Sequence, residues 1–210
     1  MNKLGASSLI KLALASAIAT GAGKPARWAG QEFSGCITYE TEYQTAAGET
    51  LYYAVKPKSW FYIQGNCLKS YDRKKQLEEL YLGDKNELYW FEKGRAVLVP
   101  DTARPGAVAA ITCLPTTATI LGHPCQALRL MRNGVATLIF YSAEVRVSAL
   151  AFSRCALPGW YALLQATDGA LPLRIITVDA QHDVTITREA IEVREMSLVA
   201  TDFTTTAPAR

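Results

Sequence analysis

Period-two alternation, broken again and again by turn signals, leaves this chain little to fold into except antiparallel sheet. The stretch from Leu121 to Leu164 shows the pattern best. Two apolar–polar runs, 124–132 and 135–142, meet at Asn133-Gly134, and a third begins after Leu157-Pro158-Gly159. Asn-Gly between such runs signals a hairpin, because both central residues of the favoured two-residue turn take positive φ. Pro-Gly fixes φ at one turn position and frees it at the next.

The same grammar runs through the rest of the chain. Phe33, Gly35, Ile37, Tyr39, Thr41 and Tyr43 share one face of a first strand, with Cys36, Thr38, Glu40 and Glu42 on the other. Ala46-Ala47-Gly48 turns it into Thr50–Val55, Lys56-Pro57-Lys58 turns that into Ser59–Gln64, and Gly65-Asn66 marks another bend. Gln76–Leu82 and Glu87–Phe91 flank Gly83-Asp84-Lys85-Asn86, and Arg95–Val99 follows. Trp160–Ala166, Leu171–Val178 and Val184–Arg194 complete the set. Residues 101–118, with Pro105, Gly106 and Pro115, read as a long loop, or as a short helix with one turn at Ala107–Ile111. The total is roughly 11 strands joined mostly by short loops. An antiparallel meander of that size curls or closes, since a flat sheet leaves long edges open. The expectation is an all-β fold, a single meander forming a strongly curved half-barrel or barrel.

The N-terminus predicts export. Lys3 gives a positive start, Leu12–Thr20 is a mostly apolar run, and Gly21, Ala22 and Gly23 follow it. That order is a secretory leader. The run falls short of the ~20 apolar residues a bilayer span needs. The expected division is a signal peptide at 1–26, one β domain at 27–203 and a flexible tail at 204–210. Residues 1–26 hold Lys3, Lys11 and Lys24 and no acid, so their removal takes the formal charge from +3 to 0. No basic excess would then remain to neutralise phosphates, which argues against nucleic acid as a partner. Half of the residues are hydrophobic and 20% are charged, as in a globular chain with a sizeable core.

Catalytic and metal motifs are scarce. The cysteines are Cys36, Cys67, Cys113, Cys125 and Cys155, none in a CxxC pair. An exported chain forms disulfides, an odd count leaves at least one thiol over, and the pairing is open. His123-Pro124-Cys125 offers a nitrogen and a sulfur, fewer than the three or four protein ligands of a zinc site. The only other histidine is His182, and there is no Gly-x-Ser-x-Gly. Glu78-Glu79, Glu40 with Glu42, and Glu192 with Glu195 are carboxylate clusters, best read as solvated sheet faces. Adjacent strand residues point to opposite faces, so Glu78 and Glu79 do not form a glycosidase-type pair. No catalytic residue, metal site or cofactor is expected.

Aromatic residues are the one feature with functional pull. Trp60-Phe61-Tyr62 and Tyr89-Trp90-Phe91 cover both faces of two strands, and Tyr52-Tyr53 and Trp160-Tyr161 repeat the theme. One face packs the core, and the other lines a groove or is covered by a loop or helix. A concave apolar groove is the usual form of a hydrophobic ligand site. The wall residues expected for it are Trp60, Tyr62, Trp90, Tyr141 and Trp160.

Ile120-Leu121-Gly122-His123-Pro124-Cys125, Phe140-Tyr141-Ser142 and Ala156-Leu157-Pro158-Gly159-Trp160-Tyr161 together resemble motifs of the GLPGLI family of exported bacterial proteins. The start, Phe33–Glu40, resembles the first strand of that family. Two departures stand out: Trp160-Tyr161 replace its aliphatic pair, and Ala156 replaces its first glycine. The resemblance implies a distant member, or a sibling family: a β-rich envelope protein with no agreed activity. In fold it is similar to the curved half-barrels of LolA- and LolB-like carriers, which hold acyl chains. The reading is therefore a non-enzymatic, exported (periplasmic) envelope protein. It binds a lipid-like or other apolar small molecule in a concave sheet. The alternative is a scaffold that meets an envelope protein partner through an edge strand or aromatic patch.

Overall fold

A computed structural model describes residues 32–45, 47–51, 55–100, 110–132 and 134–205. The expected leader at 1–26, Tyr52-Tyr53, the first half of the expected loop, Asn133 and the last five residues of the tail lie outside this set. Among the described residues eleven strands form one antiparallel sheet, open and strongly curved. They are β1 (Gly35–Gln44), β2 (Lys58–Gln64), β3 (Cys67–Tyr71), β4 (Leu77–Leu82), β5 (Glu87–Glu92), β6 (Arg95–Leu98), β7 (Ile111–Ile120), β8 (His123–Arg132), β9 (Val135–Arg146), β10 (Ala170–Asp179) and β11 (Val184–Glu195). One short helix, α1 (Trp160–Ala166), and two 3-10 turns at Leu150–Phe152 and Ala200–Asp202 complete the elements.

The strand order is β6-β5-β4-β3-β2-β1-β11-β10-β9-β8-β7. β1 therefore sits in the middle. The chain meanders outward to the β6 edge, crosses to the far edge at β7, and meanders back until β11 pairs with β1. Half-barrel, rather than closed barrel, is the outcome, because β6 and β7 do not pair.

Three segments differ from expectation. Residues 111–118, expected in a loop or helical turn, belong to β7. Pro115 is accommodated because β7 is an edge strand and the register slips between Leu114 and Thr117, the setting in which a strand tolerates proline. Cys67–Tyr71, which follows the expected bend at Gly65-Asn66 and is assigned to no strand by the sequence, is β3. Trp160–Ala166 is a helix rather than a strand: Gly159 takes φ 79 as its N-cap and turns the chain into Trp-Tyr-Ala-Leu-Leu-Gln-Ala. Ala, Leu and Gln are good helix formers.

The sheet has two differently covered faces. Ile37, Phe61, Ser70, Glu79 and Trp90 lie side by side across β1 to β5 by register. This face meets the insert 147–169. Phe152 of the insert contacts Tyr81 of β4 at 6.0 Å, while Leu163 joins Leu128 of β8 and Ile139 of β9. β4 and β8 stand seven places apart in the strand order. In a flat sheet at ~4.8 Å per strand they would be more than about 30 Å apart, so the sheet bends around the insert. The insert is pinned at its base, where the Val147 N–H donates to the Gly169 carbonyl at 3.0 Å. Gly169 has φ +80 and lies so close that a Cβ would run into the Val147 carbonyl.

The opposite face of β1 to β5 carries Cys36, Tyr62, Tyr71 and Leu80, and the C-terminal segment covers it with Leu198 and Phe203. Lys69, 1% exposed, lies beneath this segment. Its ammonium donates to the Asp202 carbonyl at 2.7 Å and sits 5.0, 5.3 and 5.6 Å from the rings of Tyr62, Tyr71 and Phe203. Three rings and a carbonyl replace the water that this charge gives up. Among the described residues no helix is long and apolar enough to cross a membrane.

Candidate functional site

The hollow of the curved sheet is the place to look for a site, because residues from both wings meet there under one insert. Its core includes Ile37, Tyr39, Leu68, Tyr81, Phe152 and Leu164. Phe61 of β2 meets the Trp160 ring at 5.6 Å, and Trp160 meets Phe152 at 6.2 Å nearly edge-on. Such a tilted aromatic chain is a favourable packing of ring quadrupoles.

The five expected wall residues do not come together. Trp160 and Tyr141 share an apolar cluster in the hollow, and the Tyr141 hydroxyl donates to Gln126 Oε1 at 3.2 Å. Trp60 and Tyr62 lie on the opposite face, under the C-terminal segment. There Tyr62 is fully buried and Trp60 is covered by the Lys75 ammonium at 5.1 Å. Trp90 is on the hollow face by register but is 43% exposed, one strand from the β6 edge. The aromatic that faces the insert from β2 is Phe61, the middle residue of Trp60-Phe61-Tyr62. The alternation of β1 carried the signal: Phe61 pairs with Ile37, on the face that begins with Phe33.

The hollow also holds polar groups that sequence reasoning did not single out. Tyr39 donates from its hydroxyl to the Pro172 carbonyl at 2.6 Å, and the Arg188 guanidinium lies 4.7 Å over its ring. Ser70 donates to Glu79 Oε2 at 3.3 Å. Burial pushes the Glu79 carboxyl upward, against the opposing pull of Arg188 and the Ser70 hydrogen bond. Glu78 is pushed up by the same cause, and by Asp72 and Glu79. Glu78 stands at the register slip between β3 and β4, so the simple alternation of Glu78 and Glu79 is broken there by a bulge. Three buried side-chain polar atoms of the described residues lack any hydrogen-bond partner: Ser59 Oγ, Trp160 Nε1 and Arg188 Nε.

The other candidates dissolve into ordinary structure. His123 Nδ1 lies 2.8 Å from Glu144 Oε2, while the Cys125 thiol points to the His123 carbonyl. The imidazole and the sulfur are therefore not a pair. Among the described residues no group of three or more His, Cys, Asp or Glu side chains could hold a metal ion. All five cysteines are free thiols, and only Cys113 is exposed. Burial pushes Cys125 up to about 11 and Cys155 up to about 12, which keeps both as unreactive thiols at neutral pH. A polar recess of about 420 Å³ lined by Glu32, Ser34, Glu195 and the segment Met196–Leu198 lies at the end of β1 and β11, apart from the orphaned donors.

No family model and no curated protein matches the chain. Among solved structures it is similar to PNGF-II, with 14% identity over 79% of this chain and a TM-score of 0.47. The chain spans only 30% of the length of that protein. It is also similar to a LolA superfamily protein from Nitrosomonas europaea, at 12% identity and TM-score 0.39, covering 82% of this chain and 90% of the other. A third is a domain of an outer membrane lipoprotein-sorting protein from Vibrio parahaemolyticus, described as putative. It shows 9% identity and TM-score 0.36, with 81% and 89% covered.

Proposed function

We propose that this chain is a non-enzymatic binding or carrier protein of the cell envelope that takes an apolar, lipid-like moiety into the hollow of its curved sheet. One observation carries the reading. The apolar inner face, fed by both wings of an open sheet, is closed over by a short insert tied at its base by the Val147–Gly169 hydrogen bond. Displacing such an insert exchanges one apolar cover for another, and desolvation of the ligand supplies affinity at roughly 25 cal/mol per Å² of apolar area. Export through the leader-like residues 1–26 and distant kinship with the GLPGLI family belong to the same reading. They rest on the motifs Ile120–Cys125 and Ala156–Tyr161 and on the order of charge and hydropathy before residue 27.

The test is mass spectrometry of protein purified from native membranes, with titration of the environment-sensitive probe 1-N-phenylnaphthylamine. A co-purifying amphiphile that competes with the probe is the expected result. Ligand-free protein that ignores the probe would overturn the proposal. A second reading, pairing with an envelope protein, is favoured by β6: all four of its residues are exposed, including Val97 and Leu98. An open edge of that kind accepts a partner strand. Crosslinking in cells that recovers one stoichiometric partner at β6 would select it.

A further inference from the structure

We infer that the part of the hollow around Tyr39 is a receptor for an anionic, oxygen-rich head group, with Arg188, Trp160 and Ser59 as its donors. This rests on the carrier reading above and names its ligand class: an amphiphile with a carboxylate or phosphate head. A run of contacts through Tyr39 and Phe61 links the three groups. The Arg188 guanidinium covers the Tyr39 ring at 4.7 Å. Tyr39 pairs across β1 and β2 with Ser59. Ser59 and Phe61 share a face two residues apart, and Phe61 meets Trp160 at 5.6 Å.

The orphaned atoms along this run are Ser59 Oγ, Trp160 Nε1 and Arg188 Nε. Buried polar groups in folded proteins are nearly always hydrogen-bonded, so three orphans on one run of contacting residues ask for a missing partner. Their chemistry says which kind. Indole and guanidinium N–H groups only donate, and a hydroxyl donates readily. The complement is a group that only accepts, and an anionic oxygen makes the strongest such bonds.

A neighbouring arginine shows what satisfaction looks like. Arg174 makes a two-pronged pair with Glu189, both bonds 2.8 Å. Among the described residues Arg188 has no such ion pair. Glu78 and Glu79, which feel its charge, are both raised by burial, with Arg188 pulling the other way, and neither forms an ion pair with it. Tyr39 cannot serve as a donor, because its hydroxyl is already spent on the Pro172 carbonyl. Phe61, Trp160 and Phe152 then continue from the donors as an aromatic wall, the surface an acyl chain would follow.

The experiment displaces 1-N-phenylnaphthylamine from the full chain with dodecanoate, dodecyl phosphate, 1-dodecanol and acetate. The two anionic amphiphiles should act at concentrations about tenfold lower than the alcohol, the worth of one charge-assisted buried hydrogen bond. Arg188→Gln should abolish that preference by weakening the two anionic amphiphiles far more than the alcohol. Ser59→Ala and Trp160→Phe should each reduce it severalfold. Equal potency of acid and alcohol would overturn this inference while leaving the carrier reading intact. Displacement by acetate as effective as by dodecanoate would overturn it too, since the site would then read a small anion alone. Failure of every chain-bearing compound would sink both readings. Acid and alcohol are compared in the unmodified protein, so the test stays decisive even where Arg188→Gln folds poorly.

Discussion

Truncating Phe203 tests whether the C-terminal segment is part of the fold or a loose end. Its side chain is 2% exposed, packed with Leu198 against Cys36, Tyr62, Tyr71 and Leu80. Phe203→Ala removes a buried ring, a change that costs about 3–5 kcal/mol in a core that cannot collapse. It also removes one of three rings around the Lys69 ammonium, a contact worth ~0.5–2 kcal/mol. These overlap, because cavity and lost ring are the same atoms, so the expected loss is about 4 kcal/mol. Against a typical total of ~5–15 kcal/mol, that is a large fraction. Phe203→Leu keeps most of the volume and should lose less than about 1.5 kcal/mol beyond its ring contact. Urea unfolding followed by tryptophan fluorescence measures both. With a slope near ~2 kcal/mol/M the alanine variant should shift the midpoint by about 2 M. A loss under about 1 kcal/mol, the range of an exposed substitution, would refute the picture of a clamped segment.

Gly169→Ala should destabilise by more than about 2 kcal/mol, because a Cβ at φ +80 is strained and runs into the Val147 carbonyl. A thermal melt no different from the parent would count against the close approach of Gly169 to Val147 at the base of the insert. Glu79 titrates with a folded-state value raised by burial. The stability it contributes is therefore complete below the ordinary carboxylate pKa of ~4.3 and is lost as pH rises through the higher folded value. Glu79→Gln should flatten that decline in denaturation midpoints between acid and neutral pH, and an unchanged slope would contradict the assignment. Finally, at neutral pH only Cys113 should react quickly with a thiol reagent, with Cys36, Cys125 and Cys155 modified only on unfolding. A disulfide-blocked or fast-reacting buried cysteine would be seen at once by peptide mapping.

Alternation and turn chemistry made most strands legible, because a half-buried strand writes its two faces directly into the sequence. β1, β2, β4, β5, β8, β9, β10 and β11 all follow from it. β3 escaped because Lys69 interrupts the apolar pattern, and nothing local announces that three rings and a carbonyl will house its charge. β7 escaped because Pro115 argues against a strand unless the strand is known to be at an edge and bulged, and both are facts of tertiary structure. α1 escaped because seven residues are too few to show helical periodicity, and its leading Trp-Tyr favours a strand locally. The site was half legible. Trp160 was visible as an aromatic next to a turn, but Ser59 and Arg188 acquire meaning only when β1, β2 and β11 are laid side by side.

That juxtaposition separates a plugged core from a receptor. A strongly curved sheet with an apolar inner face needs a cover, and Phe152, Leu163 and Leu164 supply one. Packing alone, however, gives no reason to place an indole N–H, a guanidinium Nε–H and a hydroxyl where no acceptor meets them. Each orphaned buried atom costs about 1–3 kcal/mol relative to a satisfied one. This chain keeps Arg188, Trp160 and Ser59, all donors: two on the sheet face beside Tyr39, the third on the insert that meets Phe61. Unpaired polarity where the sheet meets its insert, with satisfied polarity at Arg174 and Lys69 elsewhere, is the arrangement expected where the missing acceptor arrives with a ligand.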